Sequence, residues 1–234
     1  MARIYLSLAL FATLLLVANL VVGLNGGDAN GVAAEYLEAR DALEVVARQQ
    51  ARGEAVTVEL EAARSTLEAV TDRYQPIRIS QRFHFLLGLL SALVVVLVNS
   101  ISMTYFIGTS RWCREVVETY SLSPALIERG RKIKRRNIPW SLSGILLILA
   151  VITLGGASDP GANTTNPASW VVAHRLLAIA ACCWIGWSFL QQVGLVGEQY
   201  ELIEEIMEEV GRRGLEVEVR SAVGEEDGSP PKAD

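Results

Sequence analysis

The chain has two histidines, His84 and His174, and each stands at the head of an apolar run and opens the same short pattern. His84-Phe85-Leu86-Leu87-Gly88 is echoed by His174-Arg175-Leu176-Leu177-Ala178. A neutral imidazole nitrogen is a common transition-metal ligand. Two imidazoles brought to one depth on parallel helices would grip a flat, metal-bearing ligand from both sides. Below each histidine the same helical face carries small residues, Gly88 and Ser91 on one run and Ala178 and Ala181 on the other, which would leave a slot for a porphyrin. Arg82 and Arg175 neighbour the two histidines and suit the charge-assisted contacts that propionates make. The pattern therefore predicts one haem b held by His84 and His174, with Arg82, Arg175, Gly88 and Ala178 around it, in a b-type cytochrome that transfers electrons. A plainer reading competes with it. Small residues also let transmembrane helices pack closely, leucine-rich runs produce such short patterns easily, and Arg175 can simply snorkel outward.

The elements that must position these residues follow from hydropathy. Half the residues are hydrophobic (51%) and a fifth are charged (20%), so the apolar residues have to be gathered in blocks. Residues 4–24, 85–108, 140–156 and 170–196 are four such blocks, each long enough to cross a hydrocarbon core of about 30 Å. Only helices and closed barrels satisfy their own backbone inside lipid, so the expected fold is an all-α membrane protein with four transmembrane helices. The first block competes with a signal peptide. Its length and the absence of an A-x-A pattern before Asn25 favour an uncleaved anchor.

Arg111, Arg114, Arg129, Arg131, Lys132, Lys134, Arg135 and Arg136 lie between the second and third blocks, which puts that loop in the cytoplasm of a bacterial-type inner membrane. Four crossings then leave both termini inside, and both histidines at the outer edge of spans that run from outside to inside. Trp140 and Trp170 fall where interfacial aromatics are expected. Cys182 and Cys183 are mid-span and Cys113 is on the reducing side, so no disulfide framework is expected.

Between the first two spans, Val32, Tyr36, Ala39, Leu43 and Val46 recur at spacings of four and three, as do Val56, Leu60, Ala63, Leu67, Val70 and Tyr74. These are coiled-coil-like seams. Gly53 separates them and Thr57 can cap the second. An extracytoplasmic antiparallel hairpin is expected at residues 30–74, with helices over 30–52 and 57–74 that Pro76 ends. The hairpin resembles, in architecture alone, the helical sensing domains of bacterial chemoreceptors and sensor kinases. The later spans and the absence of a signalling module depart from that pattern.

On the cytoplasmic side, residues 109–120 and a segment begun by the cap Ser123-Pro124 read as short helices. The fourth span continues as an acidic helix to Gly211 or Gly214, residues 215–220 alternate like a strand, and a disordered tail follows from Gly224. The divisions are therefore a first span (1–24), a hairpin region (25–82), a second span (83–108), a basic loop (109–139), a third span (140–156), an outer loop (157–169), a fourth span with its extension (170–214) and a tail (215–234). Membrane lipids, a protein partner or second copy at the hairpin, and contact between the basic loop 129–136 and the acidic helix 198–209 are the expected interactions.

Asn99, Ser100, Ser102 and Thr104 form a polar cluster explained by helix pairing, and Asn163-Thr164-Thr165 matches a glycosylation acceptor. There is no nucleophile with its base, no phosphate loop and no broken helix of the transporter kind, so enzymatic activity is not expected. The acidic balance, a net charge of −5, argues against nucleic acid. The alternative to a cytochrome is a haem-free membrane scaffold or sensor-like protein that works through the outer hairpin and the cytoplasmic charges.

Overall fold

The structure, a computed structural model, describes residues 2–159 and 167–226. Every regular element in them is an α-helix. In chain order these are α1 (Ala2–Leu24), α2 (Ala29–Ala51), α3 (Thr57–Thr119), α4 (Pro124–Ala157) and α5 (Pro167–Glu226). Four of them, α1, α3, α4 and α5, are long and apolar enough to cross a membrane. Their outward faces are leucine-rich, with Leu14, Leu86, Leu93, Leu146, Leu176 and Leu190 all exposed, the opposite of what water would select.

The helix ends obey local chemistry, but several interior breaks do not occur. Asp28 caps α2, its carboxylate accepting from the Gly31 amide at 2.9 Å. The chain then reverses at Gly53, whose φ of +87° is open to glycine at no steric cost. Ser123 caps α4, with Pro124 at its first position.

Pro76, expected to end the outer helix, lies inside α3, which runs 63 residues without interruption. Position 76 is exposed, so water can satisfy the carbonyl that the missing amide releases, and the helix continues into its apolar segment. Pro139 is likewise exposed and internal, so the basic segment and the third span form one helix. The separate short helices expected across 109–139 are therefore the ends of α3 and α4, with only residues 120–123 between them. Gly211 and Gly214 do not end α5, and residues 215–220 are helical rather than a strand. The acceptor pattern at Asn163-Thr164-Thr165 and residues 227–234 of the tail lie outside the described residues.

The helices contribute to two compact units. One comprises Ala9–Leu97 and Gly144–Gly186. In it α2 and the start of α3 pack side by side. Tyr36 and Tyr74 stack with ring centroids 4.9 Å apart, and Arg73 reaches Glu35 at 2.8 Å. The seam positions read from the sequence are the less exposed ones, with Ala39, Leu60 and Val70 buried. Asn30 donates to the Ser158 carbonyl at 3.4 Å, tying the hairpin base to the end of α4.

The other unit comprises Met1–Leu8, Val98–Ser143 and Trp187–Asp234. Its centre is Gln192, fully buried, with all four amide positions engaged. Tyr5 Oη and Ser141 Oγ donate to Gln192 Oε1 at 2.9 and 3.0 Å, and Gln192 Nε2 donates to Asn99 Oδ1 and Ser188 Oγ at 3.0 Å each. Asn137 extends this web, donating to Ser141 at 3.0 Å and accepting from Ser102 at 3.2 Å.

In the same unit Arg129 pairs with Glu205 at 2.6 Å and Arg136 with Glu198 at 2.7 Å, so α4 and α5 are laced by opposite charges. Both pairs are about half exposed, and each contributes roughly 0–1 kcal/mol. Replacing Glu198 and Glu205 together by Gln is expected to lower the detergent melting temperature only slightly. That small loss should shrink further in high salt, which a melting series across ionic strength would read.

A register runs through both helix pairs. Positions 132 apart on α1 and α4 share one burial pattern: Tyr5 with Asn137, Ala12 with Gly144 and Leu16 with Ile148 are all buried, and Gly23 and Gly155 are half-buried. Positions 90 apart on α3 and α5 match too, from His84 with His174 through Ser91 with Ala181 and Val95 with Ile185 to Ser102 with Gln192. The hydrogen bonds obey the same rule, since the two shifts carry the Tyr5–Gln192 bond onto the Asn137–Ser102 bond. The pair α1/α3 is thus repeated, in the side chains it buries, by α4/α5.

Candidate functional site: a histidine pair on α3 and α5

His84 and His174 both belong to the unit of Ala9–Leu97 and Gly144–Gly186. Their rings are brought face to edge, with centroids 6.4 Å apart and planes crossed at 72°. Each imidazole is half-buried and lies over a glycine of a neighbouring helix. A Cβ added to Gly23 would stand 2.6 Å from Cε1 of His84, and one added to Gly155 would stand 3.0 Å from Cε1 of His174. Each ring also faces the backbone four residues before its glycine, that of Asn19 on α1 and that of Val151 on α4. The glycines are therefore cradles: a side chain at Gly23 would displace the His84 ring, and one at Gly155 would crowd that of His174. Nδ1 of both rings is buried without a hydrogen-bond partner.

A buried imidazole nitrogen with no partner costs about 1–3 kcal/mol, and here there are two in one place. The 6.4 Å between ring centres lies within the range of an ordinary edge-to-face ring contact. Among the described residues no group of three or more His, Cys, Asp or Glu converges. The pair thus offers two ligands, and a metal bound by it has to bring the rest of its coordination sphere, as the iron of a porphyrin does.

Arg82 and Arg175 are exposed beside their histidines, at positions open to an anionic ligand edge. Ala178 is half-buried one turn below His174. Gly88 is one turn below His84, but its space is taken by α1: a Cβ there would lie 3.0 Å from Nδ2 of Asn19. Gly23, Gly155 and Asn19 were not among the residues singled out from the sequence, because they lie on helices other than those that carry the histidines.

The polar cluster on α3 divides by helical phase. Asn99 and Ser102 join the buried web of Gln192, whereas Ser100 and Thr104 line a shallow outer groove of about 550 Å³ with Ile101, Tyr105, Gly108 and Thr109. The three cysteines are free. No family model matches the chain, and no curated protein or solved structure is similar to it.

Proposed function

We propose that the chain is an integral membrane b-type cytochrome in which His84 and His174 hold the iron of one haem b near the outer surface. On this reading it crosses a bacterial-type inner membrane four times, with both termini and the basic segment 129–136 in the cytoplasm. The observation that carries the reading is the convergence of the chain's two histidines at 6.4 Å, each with a buried and unpartnered Nδ1.

Bound haem would supply one-electron chemistry. The chain's own part is to present two imidazoles, to keep their flanks dry between packed helices, and to meet the propionates with Arg82 and Arg175. A ring that gives one nitrogen to a metal keeps an N–H on the other. The backbone of Asn19 and of Val151, which the rings face, offers acceptors for it.

The test is a visible spectrum of the detergent-purified protein from cells supplied with haem, oxidised and dithionite-reduced. A Soret band with sharp α and β bands on reduction is expected. His84→Ala and His174→Ala are each expected to abolish the six-coordinate spectrum, and the double variant to bind no haem. A wild-type protein without a Soret band would sink the proposal, and a six-coordinate spectrum that survives in the double variant would reject these ligands.

The second reading is a haem-free scaffold that docks a partner on the hairpin. It is favoured by apolar side chains left open on an otherwise polar helix pair, Val45 at 57% and Val58 at 77% exposure. Deleting residues 30–74 should then remove a defined co-purifying subunit while the four apolar helices remain folded.

A further inference from the structure

In the unit that holds Gln192, α4 and α5 divide their charges between two faces. Arg129 and Arg136 turn to Glu205 and Glu198 within the chain. Lys132 and Arg135 on α4, and Glu201, Glu204 and Glu208 on α5, are exposed, and among the described residues none of the five joins an ion pair. Glu204 accepts the hydroxyl of Tyr200 on its own helix. Helical spacing sets each group on one stripe. On α4 the stripe is Lys132, Arg135, Pro139 and Leu142. On α5 it is Leu190, Gly194, Gly197, Glu201, Glu204 and Glu208, stepping by alternating fours and threes as a helix-pairing seam does. Both stripes lie opposite the buried rows, Ile133 and Asn137 on α4 and Gln192, Gln199 and Ile206 on α5, so they share the outer flank of the pair. Leu142 is 45% exposed and Leu190 61%, and a Cβ added to Gly194 or Gly197 would meet nothing within 4 Å. Each stripe passes from apolar or small residues to charge at the same end of the unit, and the two charges are opposite.

The heights match as well. Arg129 stands level with Glu205 and Arg136 with Glu198, so these antiparallel helices advance residue for residue. By that count Lys132 is level with Leu202, between Glu201 and Glu204, and Leu142 is level with Gln192, between Leu190 and Gly194. A two-fold axis along the bundle, which is the membrane normal on the four-span reading, leaves every residue at its own height. It lays α4 of one copy against α5 of the other, twice over. We infer that the chain forms a two-fold homodimer through the α4/α5 flank: Lys132 and Arg135 of each copy meet Glu201 and Glu204 of the other, and Leu142 enters the space over Gly194 and Gly197. Glycines let helices approach closely in a bilayer, where apolar burial supplies no drive between helices. The charges set register and choice of partner more than strength. A contact of this symmetry uses both stripes of each copy and leaves neither open to a third, so the assembly closes at two. The inference rests on the four-span reading and is independent of haem, because the flank belongs to the unit without the histidines.

The experiment extracts the full-length protein from membranes in mild detergent and weighs it by light scattering, with the detergent subtracted. Wild type is expected at twice the mass of the chain. Lys132→Glu/Arg135→Glu and Glu201→Lys/Glu204→Lys each put like charges across both contacts, and each variant alone is expected at the mass of one chain. Co-expressed with different tags, the two variants restore opposite charges at both contacts, so either tag should recover the other in a one-to-one complex. Gly197→Leu fills the open space without touching a charge and is also expected to halve the mass, which keeps the inference open to refutation where a reversed variant does not fold. A monomeric wild type overturns it. So does a dimer that survives both reversals, or that survives Gly197→Leu, since its contact then lies elsewhere on the chain. Reversed chains that remain apart when co-expressed overturn it too. A wild-type chain recovered from the soluble fraction overturns the four-span reading together with the dimer, whereas a monomer extracted from membranes overturns the dimer alone.

Discussion

Gly23→Ala is expected to abolish the paired-histidine site while leaving the protein at least as stable as wild type. The methyl would stand 2.6 Å from Cε1 of His84, closer than carbon atoms approach, and the atom that can yield is the end of a rotatable ring rather than backbone. His84 therefore swings away and α1 stays in place. Gly23 lies in the last turn of α1, so alanine gains part of the about 0.5–1 kcal/mol it has over glycine inside a helix, which offsets the lost packing of a half-buried ring. On the proposed haem reading, loss of His84 from the pair should turn a six-coordinate spectrum into a five-coordinate one, at an unchanged or raised melting temperature in detergent. Gly155→Ala meets His174 at 3.0 Å and should show the same change in weaker form, with a mixed spectrum. A Gly23→Ala protein with a wild-type spectrum would show that the glycine does not set the ring. One that melts well below wild type would show that it serves packing instead.

Gln192→Leu should have the opposite signature, a large loss of stability with little direct effect on the histidines. The glutamine is buried with four hydrogen bonds that join α1, α3, α4 and α5 in one unit. Leucine fills nearly the same volume and makes none of them. Interhelical hydrogen bonds in membrane proteins average about 0.6 kcal/mol and reach about 1.7, so the three that leave α5, the fourth being to Ser188 on the same helix, amount to roughly 2–5 kcal/mol. Ser102→Ala, which removes the bond to Asn137 at the edge of the web, should lose about 0.6 kcal/mol on the same scale. Unfolding by SDS titration would rank the two. Equal midpoints would mean that the web around Gln192 is decoration on a bundle held by van der Waals contact.

How legible all this was depended on whether a feature is written along one helix or between two. The four apolar blocks and the echo of His84 in His174 are runs, so the sequence displays them. The seams of the hairpin are runs also, and positions 39, 60 and 70 are indeed buried. Gly23 and Gly155 gave no such signal. Each stands near the end of its own apolar block, where a glycine reads as the start of a loop, and its use appears only once a second helix lays a ring across it. The repeat of α1 by α4 was hidden for a related reason. It is kept in burial rather than in residue type, Tyr5 answering to Asn137 and Ala12 to Gly144.

The missed helix continuations have a different cause. Pro76, Pro139, Gly211 and Gly214 are local stop signals worth about 1–3 kcal/mol each. A helix already nucleated on both sides of the break can absorb that amount, above all where the position is exposed. The cluster from Asn99 to Thr104 was read by adjacency, whereas a helix sorts residues by angle. Three residues separate Asn99 from Ser102, nearly one turn, so those two share the inner face and Ser100 and Thr104 do not.

The repeated register has a consequence for how this protein is free to change. In a true dimer of two-helix subunits every substitution enters both sides of the central site at once, so the site can only strengthen or weaken as a whole. Joined in one polypeptide, the two sides answer to separate codons. One side has an asparagine against a glycine and carries α2 between its helices, while the other has Val151 and Ala178 at the matching positions. A substitution on the first side can alter what surrounds His84, and a change in the hairpin can alter the surface that α2 presents. Neither forces a matching change on the second side.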